Sequence, residues 1–465
     1  MNQTQLEYGW KLAPSGRGTF DILWSSVITI FLCSWSVLTL NVYPRRFDSF
    51  KISGRKSVMT FLGCMGPEFI LQLAAGQYCA ARRSVHEFSV SNQLSSGRQP
   101  WTMRHAFFAN MGGFALQTQV ADKGTFPLFP LNAQQVLYLV ENDYIAYNDV
   151  CIEKELIRDR DKVDGIVRLI TVCQISWFFV TCVARACQHI AVTVLELAVV
   201  GFMLNSLCTF FFWWHKPNDV TRAIILRPNT EIDLILRQAG DVAREPYRDT
   251  PLDFVGYDWW SWTLYWTYWK GLVKIIFRID LDERRRPIEA IPDDNFPRID
   301  GWPQWIVMIF QIGYGGVHLF GWGFPFPTQA ERLAWRIATV TIIMCILIPW
   351  AVEILAWRIK VSVPPIDRSN PASTDLFMPA STHASTPTAA KTRKKTWKYT
   401  MRNLTFPRDP LMDVPLRVLI PVTVPAAIYC FARAYIVIEG FIGLRALPPS
   451  AYQSVDWTFV TPHWM

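Results

Sequence analysis

The 465-residue sequence predicts an all-α fold: a polytopic bundle of about seven transmembrane helices, with an interfacial Trp-rich helix and a disordered basic loop. Three observations carry this expectation. Charged residues make up only 18% of the chain, where soluble domains carry about 25%. Aromatic residues reach 14%, and they crowd the edges of apolar runs as they do at membrane interfaces. Seven such runs approach the length of about 20 residues that crosses a hydrocarbon core with every backbone amide satisfied inside the segment.

In chain order, residues 1–19 form a polar N-terminal segment without an apolar core, so no removable signal peptide is expected. Residues 20–81 hold transmembrane helices 1 and 2. The first run, 20–42, starts at Asp21 and is stopped by Pro44, Arg45 and Arg46; the second, 58–81, carries Pro67 and Glu68 at its middle. A long loop, 82–167, leads to a hairpin of helices 3 and 4 at 168–214, whose runs are separated only by Cys187, Gln188 and His189. A second long loop, 215–303, precedes helices 5 and 6 at 304–357. Residues 358–415 are a low-complexity basic loop, in which Pro-Ala-Ser-Thr occurs twice before Lys391, Arg393, Lys394 and Lys395. Such composition buries too little apolar surface to offset chain entropy. Helix 7 spans 416–440, and 441–465 is a C-terminal tail. An odd number of crossings places the termini on opposite faces.

One run alone would fit a buried helix of a soluble protein, but seven with basic flanks would not. The net charge of +8 sits between the apolar runs. That placement matches anionic lipid headgroups and excludes a nucleic-acid partner. Orientation is contested by the sequence itself: Arg45, Arg46, Lys51, Arg55 and Lys56 place the 43–57 loop inside, while the long loops on the other face are also basic near their helices. Sequons at Asn2 and Asn403 are candidate glycosylation sites on one face in this scheme. Eight of the ten cysteines fall inside apolar runs, and no Cys-x-x-Cys or HExxH pattern occurs; no disulfide framework, metal or cofactor is expected.

In residues 258–271, Trp259, Trp262, Trp266 and Trp269 are spaced three, four and three apart and share one helical face. Indoles favour the headgroup level, so the helix is expected to lie in the lipid interface; a re-entrant helix and a stripe packed against the bundle are the alternatives. Ionisable groups at bilayer depth cost about 2.5–3.5 kcal/mol on insertion scales and are therefore paired or functional. Glu68 beside Pro67, Glu353 after Pro349, and Glu196 in the fourth run are the candidate catalytic or polar-contact residues. Folding the hairpin brings Arg185 level with Glu196, which predicts a structural ion pair. Arg433 and Glu439 are six apart, share no helical face, and each needs a partner elsewhere.

Several strings carry a resemblance: GRGTFDILW at 16–24, PEF at 67–69, HAFFANMGGF at 105–114, WHKPNDV at 214–220, and ARAY at 432–435 with Leu444 and Arg445. They resemble a large, poorly characterised family of fungal multi-pass integral membrane proteins. The resemblance implies the polytopic fold and no particular reaction. The expected role is handling or conversion of a lipophilic small molecule taken from the bilayer, such as a terpenoid-type intermediate of specialised metabolism. A transporter or channel lined by broken helices 2 and 6, and a receptor or scaffold, are the alternatives. No P-loop, Rossmann fingerprint, GxSxG elbow or kinase set is present.

Overall fold

A computed structural model describes residues 6–13, 16–44, 47–91, 99–120, 124–152, 165–218, 220–243, 247, 249–256, 261–277, 286–358, 404 and 416–457. The first helices are α1 (Thr19–Val37), α2 (Ser49–Met65), α3 (Pro67–Val90), α4 (Met103–Asn110), α5 (Ala133–Glu141) and α6 (Tyr147–Val150). They are followed by α7 (Gly165–Cys187), α8 (Val194–Phe212), α9 (Ile232–Ala239) and α10 (Ser261–Ile276), then α11 (Trp302–Val317), α12 (Gln329–Arg358) and α13 (Leu416–Ile442). Five segments are long and apolar enough to cross a membrane: α1, Leu169–Cys187 of α7, α8, α11 with its continuation to Gly323, and Leu419–Arg445. The 30-residue α12 packs along α13. Leu333, Ile337, Val340, Met344 and Ile348 are exposed on it at helical spacing, an apolar stripe with no protein over it, which is the pattern of a lipid-facing surface.

The second expected span is two helices, α2 and α3, bent by 113°. Proline has no N–H to lose at a first helical position and its φ is preset there, so Pro67 starts a new helix instead of kinking the old one. Both outer ends of the pair sit at one end of the bundle. Arg55 of α2 pairs with Asp293, Arg83 of α3 lies 3.1 Å from Asp300, and Gln77 of α3 meets the chain just beyond α8. The tip at Gly66 reaches α13, where Arg433 donates to Met65 O. The pair is a sharply bent unit, the geometry of a broken span or a re-entrant turn.

The two chain ends meet. Strand β1 (Glu7–Tyr8) pairs antiparallel with a strand near the C-terminus, Ala446–Leu447, with Glu7 opposite Leu447, and Arg445 of that end bonds Glu331 at the start of α12 at 2.6 Å. Among the described residues, five helices are long and apolar enough to cross a membrane, six if the bent α2–α3 pair is one span, where the sequence predicts about seven, and β1 lies beside the strand near the C-terminus. The hairpin break is also longer than three residues: α7 ends at Cys187 and α8 begins at Val194.

Loops expected to be irregular are folded. In the 82–167 stretch, β2 (Phe114–Leu116) is followed by a small β3–β4 ladder (Gln119–Val120, Gly124–Thr125) and by β5 (Phe129–Leu131). β2 is the centre of a three-stranded sheet, antiparallel to β5 and parallel to β6 (Ile224–Leu226), with Phe114 opposite both Leu131 and Ile224. The C-terminal strand at Ala446–Leu447 is β7. Phe108 and Phe114 pack edge to face at 5.2 Å within this layer, and α4 and β2 together make up the HAFFANMGGF string.

Helix α10 carries part of the tryptophan stripe. Trp266 rests on Phe69 and Phe296 at 5.8 and 5.7 Å and donates to Asp294 at 2.9 Å; Trp269 donates to Thr423 of α13 at 3.2 Å. These two indoles, expected at the lipid interface, hold α10 to the bundle. Trp259 and the Trp262 side chain lie outside the described residues, as do Asn2, Asn403 and the 359–403 stretch.

Two contacts lock the loop layer to the helices. Lys216, only 3% exposed, donates to Thr39 O at 2.7 Å, Gln77 Oε1 at 2.9 Å and Asn41 Oδ1 at 3.3 Å, which joins the chain after α1, the middle of α3 and the chain after α8. Gly76 is the second: a Cβ there would lie 2.4 Å from Pro297 O, too close for any side chain. Gly76→Ala is expected to cost about 1–3 kcal/mol through the displacement of α3 from this segment. An unchanged thermal midpoint in detergent would refute that close approach.

Candidate functional site

The tip of the bent pair places an acidic side chain deep in the bundle. Gly66, at φ −151° and ψ 83°, ends α2, and a Cβ on it would lie 2.5 Å from the Phe69 ring and 2.7 Å from Glu68 Oε1. Only glycine allows the turn to close so tightly. Glu68 follows in the first turn of α3, where unpaired N–H groups and the helix dipole favour a carboxylate.

Three other helices surround it. Tyr429 of α13 donates its hydroxyl to Glu68 Oε1. One turn on, Arg433 donates from Nε to Met65 O at 3.1 Å, which caps a carbonyl freed by the break. The guanidinium carbon lies 5.1 Å from the rings of both Phe202 (α8) and Tyr314 (α11), a cation–π arrangement that partly offsets the loss of water. His318, one turn after Tyr314, places Nδ1 3.0 Å from Tyr314 O.

What the cluster leaves open is chemically specific. Glu68 Oε2, Arg433 Nη1 and Nη2, the Tyr314 hydroxyl and His318 Nε2 are buried and have no hydrogen-bond partner among the described residues. Both side-chain polar atoms of Asn205, one turn along α8 from the Gly201 that packs on Tyr314, are in the same state. Among the described residues no carboxylate is in salt-bridge contact with Arg433. Buried polar groups in native proteins are almost always satisfied, and the requirement is strictest at membrane depth. Donors and acceptors gathered around one buried cation are therefore arranged to receive a polar group.

The other candidates separate from this cluster. Glu196 closes a capping box at the start of α8: its Oε2 accepts from the Thr193 N–H and hydroxyl, both at 2.9 Å, and Thr193 Oγ1 accepts from Glu196 N at 3.2 Å. Its ion pair is with Arg17 at 2.5 Å. Arg185 instead donates to the carbonyls of Gln453 (2.8 Å), Ala191 (2.8 Å), Ala451 (2.9 Å) and Ser450 (3.4 Å). The two residues expected to pair with each other thus find different partners, because the C-terminal segment supplies Arg185 with carbonyls and the N-terminal segment supplies Glu196 with a cation. Glu353 lies on α12, which continues through Pro349 without a break, and its side chain lies outside the described residues. Glu439, expected to need a partner, receives the Tyr435 hydroxyl at 3.3 Å.

Tyr429, Tyr314, His318 and Asn205 were not singled out by sequence. The only available signal was the four-residue spacing of Tyr429 and Arg433, and of Tyr314 and His318, which places each pair on one helical face.

The model of a family of unknown function (DUF8562) matches residues 2–239. That range includes α1 to α9, and with them Glu68, Phe202 and Asn205. No curated protein and no solved structure matches the chain.

Proposed function

The chain belongs to this family of unknown function (DUF8562), and we propose that it is a multi-pass membrane protein that takes a lipophilic small molecule from the bilayer. The molecule's polar end enters the Glu68–Arg433 cluster while its hydrocarbon lies among the helices. The observation that supports this is the open valence of the cluster: Glu68 Oε2 offers an acceptor and Arg433 offers two nitrogens, with the Tyr314 hydroxyl beside them. A single hydroxyl on an otherwise apolar molecule answers these groups, accepting from Arg433 and donating to Glu68 Oε2. A terpenoid-type intermediate has that chemistry.

Wild-type protein purified in mild detergent is then expected to carry a small lipophile that organic extraction and mass spectrometry detect. Glu68→Gln keeps the size of the side chain and an acceptor for Tyr429, but changes Oε2 into a donor; the retained molecule should fall about tenfold or more, the effect of one mismatched buried hydrogen bond. Equal extracts from both proteins, at equal thermal stability, would remove Glu68 from the site.

A transporter reading is favoured by a different observation, the 113° bend between α2 and α3. Broken helices at mid-membrane line solute paths in other membrane proteins. Solute flux into liposomes that responds to Glu68→Gln would support it. Its second expected element is missing, since α12 is continuous.

A further inference from the structure

At the end of the bundle opposite the termini, the folded loops enclose a cavity of about 250 Å³, bordered by α3, the start of α5, α10 and the segments around 249–256 and 288–298. Seven carboxamides line it, and at three of them, Gln77, Asn110 and Asn132, the protein dictates which way the group faces. Gln77 Oε1 accepts from the Lys216 ammonium at 2.9 Å and from Trp213 Nε1 at 3.0 Å. Asn110 Oδ1 accepts from Ala133 N at 3.0 Å. Asn132 Oδ1 accepts from Gln135 N at 2.8 Å as the N-cap of α5.

All these partners are donors only, so in each case the oxygen is committed and the NH₂ is turned away from them. Among the described residues none of the three NH₂ groups has a protein partner, and none is among the fully buried unpaired atoms. Asp253 lines the same space. Its two oxygens accept from Asp249 N at 2.6 Å and the Thr250 hydroxyl at 2.9 Å, and each keeps a further lone pair. Three cations line the cavity beside the three carboxylates Asp249, Asp253 and Asp294: Lys270 pairs with Asp294 and Arg83 with Asp300, and Arg298 is exposed.

The cavity therefore offers fixed neutral donors next to carboxylate acceptors, with no surplus positive charge and too little volume for a large ligand. Hydroxyl groups meet both demands, since each accepts from an amide and donates to a carboxylate. A free phosphate meets only the first and would face Asp253. We propose that this cavity binds a polyhydroxylated ring, a monosaccharide or inositol unit, carried either as a free solute or as a lipid headgroup.

Asn110→Asp and Asn132→Asp test this with the full chain in detergent. Aspartate keeps the oxygen that accepts from Ala133 N or caps α5, so each variant retains its protein contact while the NH₂ donor becomes a charged acceptor oxygen. Titration calorimetry with myo-inositol and with glucose probes the free form, and short-chain phosphatidylinositol against phosphatidylcholine of equal chain length probes the tethered form. Saturable binding of a free polyol, weakened about tenfold or more in both variants, supports the proposal with a soluble ligand. Binding confined to phosphatidylinositol and weakened likewise supports it with a lipid headgroup. Three results overturn it: no saturable binding of any of these probes, binding that both variants leave unchanged, or binding of inorganic phosphate as tight as that of the polyols.

Discussion

Replacing Arg185 by methionine is expected to cost about 3–5 kcal/mol of unfolding free energy, the sum of several buried carbonyls left without donors. The guanidinium joins the end of α7, the start of the α7–α8 turn and the C-terminal segment at Ser450, Ala451 and Gln453. Lysine is not an adequate substitute, because one ammonium lacks the planar fork that reaches acceptors on separate segments. Arg185→Lys should recover less than half of the loss. Unfolding in mixed micelles measures both, and limited proteolysis should cut the C-terminal segment earlier in the methionine variant. A methionine variant within 1 kcal/mol of wild type would refute this role.

Lys216→Met should cost about 2–4 kcal/mol, since the acceptors on the chain after α1 and on α3 lose their shared donor. Its dependence on pH has a definite sign. Burial pushes the Lys216 ammonium down to about 7, against the opposing effect of Asp293. In the unfolded chain it titrates near 10.5. Between these values the unfolded chain holds a proton that the folded protein does not, so this residue makes the fold more stable as pH rises from about 7 toward 10.5. The slope reaches at most about 1.4 kcal/mol per pH unit, and below pH 7 the contribution is flat. Asp293 and Arg55 face Lys216 in both proteins, so the difference between wild type and the methionine variant isolates Lys216. That difference should grow from pH 7 to 9, and a constant difference would show that the lysine stays charged.

Hydropathy and length were enough to find the long apolar helices, because the bilayer imposes one strong constraint that each segment meets alone, but not the short helices α4, α5, α6 and α9 in the long loops. Nor could they reveal the 113° bend between α2 and α3. A run of apolar residues looks the same whether it is straight or bent, and Pro67 fits both a kink and a first helical position. The buried acid at Glu68 was legible from its chemistry, as was the need of Arg433 for a partner; that the two belong to one cluster depends on packing between helices 365 residues apart in sequence. Glu196 is a different case. Thr193-x-x-Glu196 is a capping box that can be read directly from the letters, and it gives Glu196 a structural task before any catalytic one. The strands escaped notice because β2, β5 and β6 are three residues each, and β6 joins from more than 100 positions away.

The seam between Glu7–Tyr8 and Ala446–Leu447 turns the chain into a nearly closed ring. Probes attached beside Tyr8 and beside Ala446 should report the same compartment and come within energy-transfer range of each other.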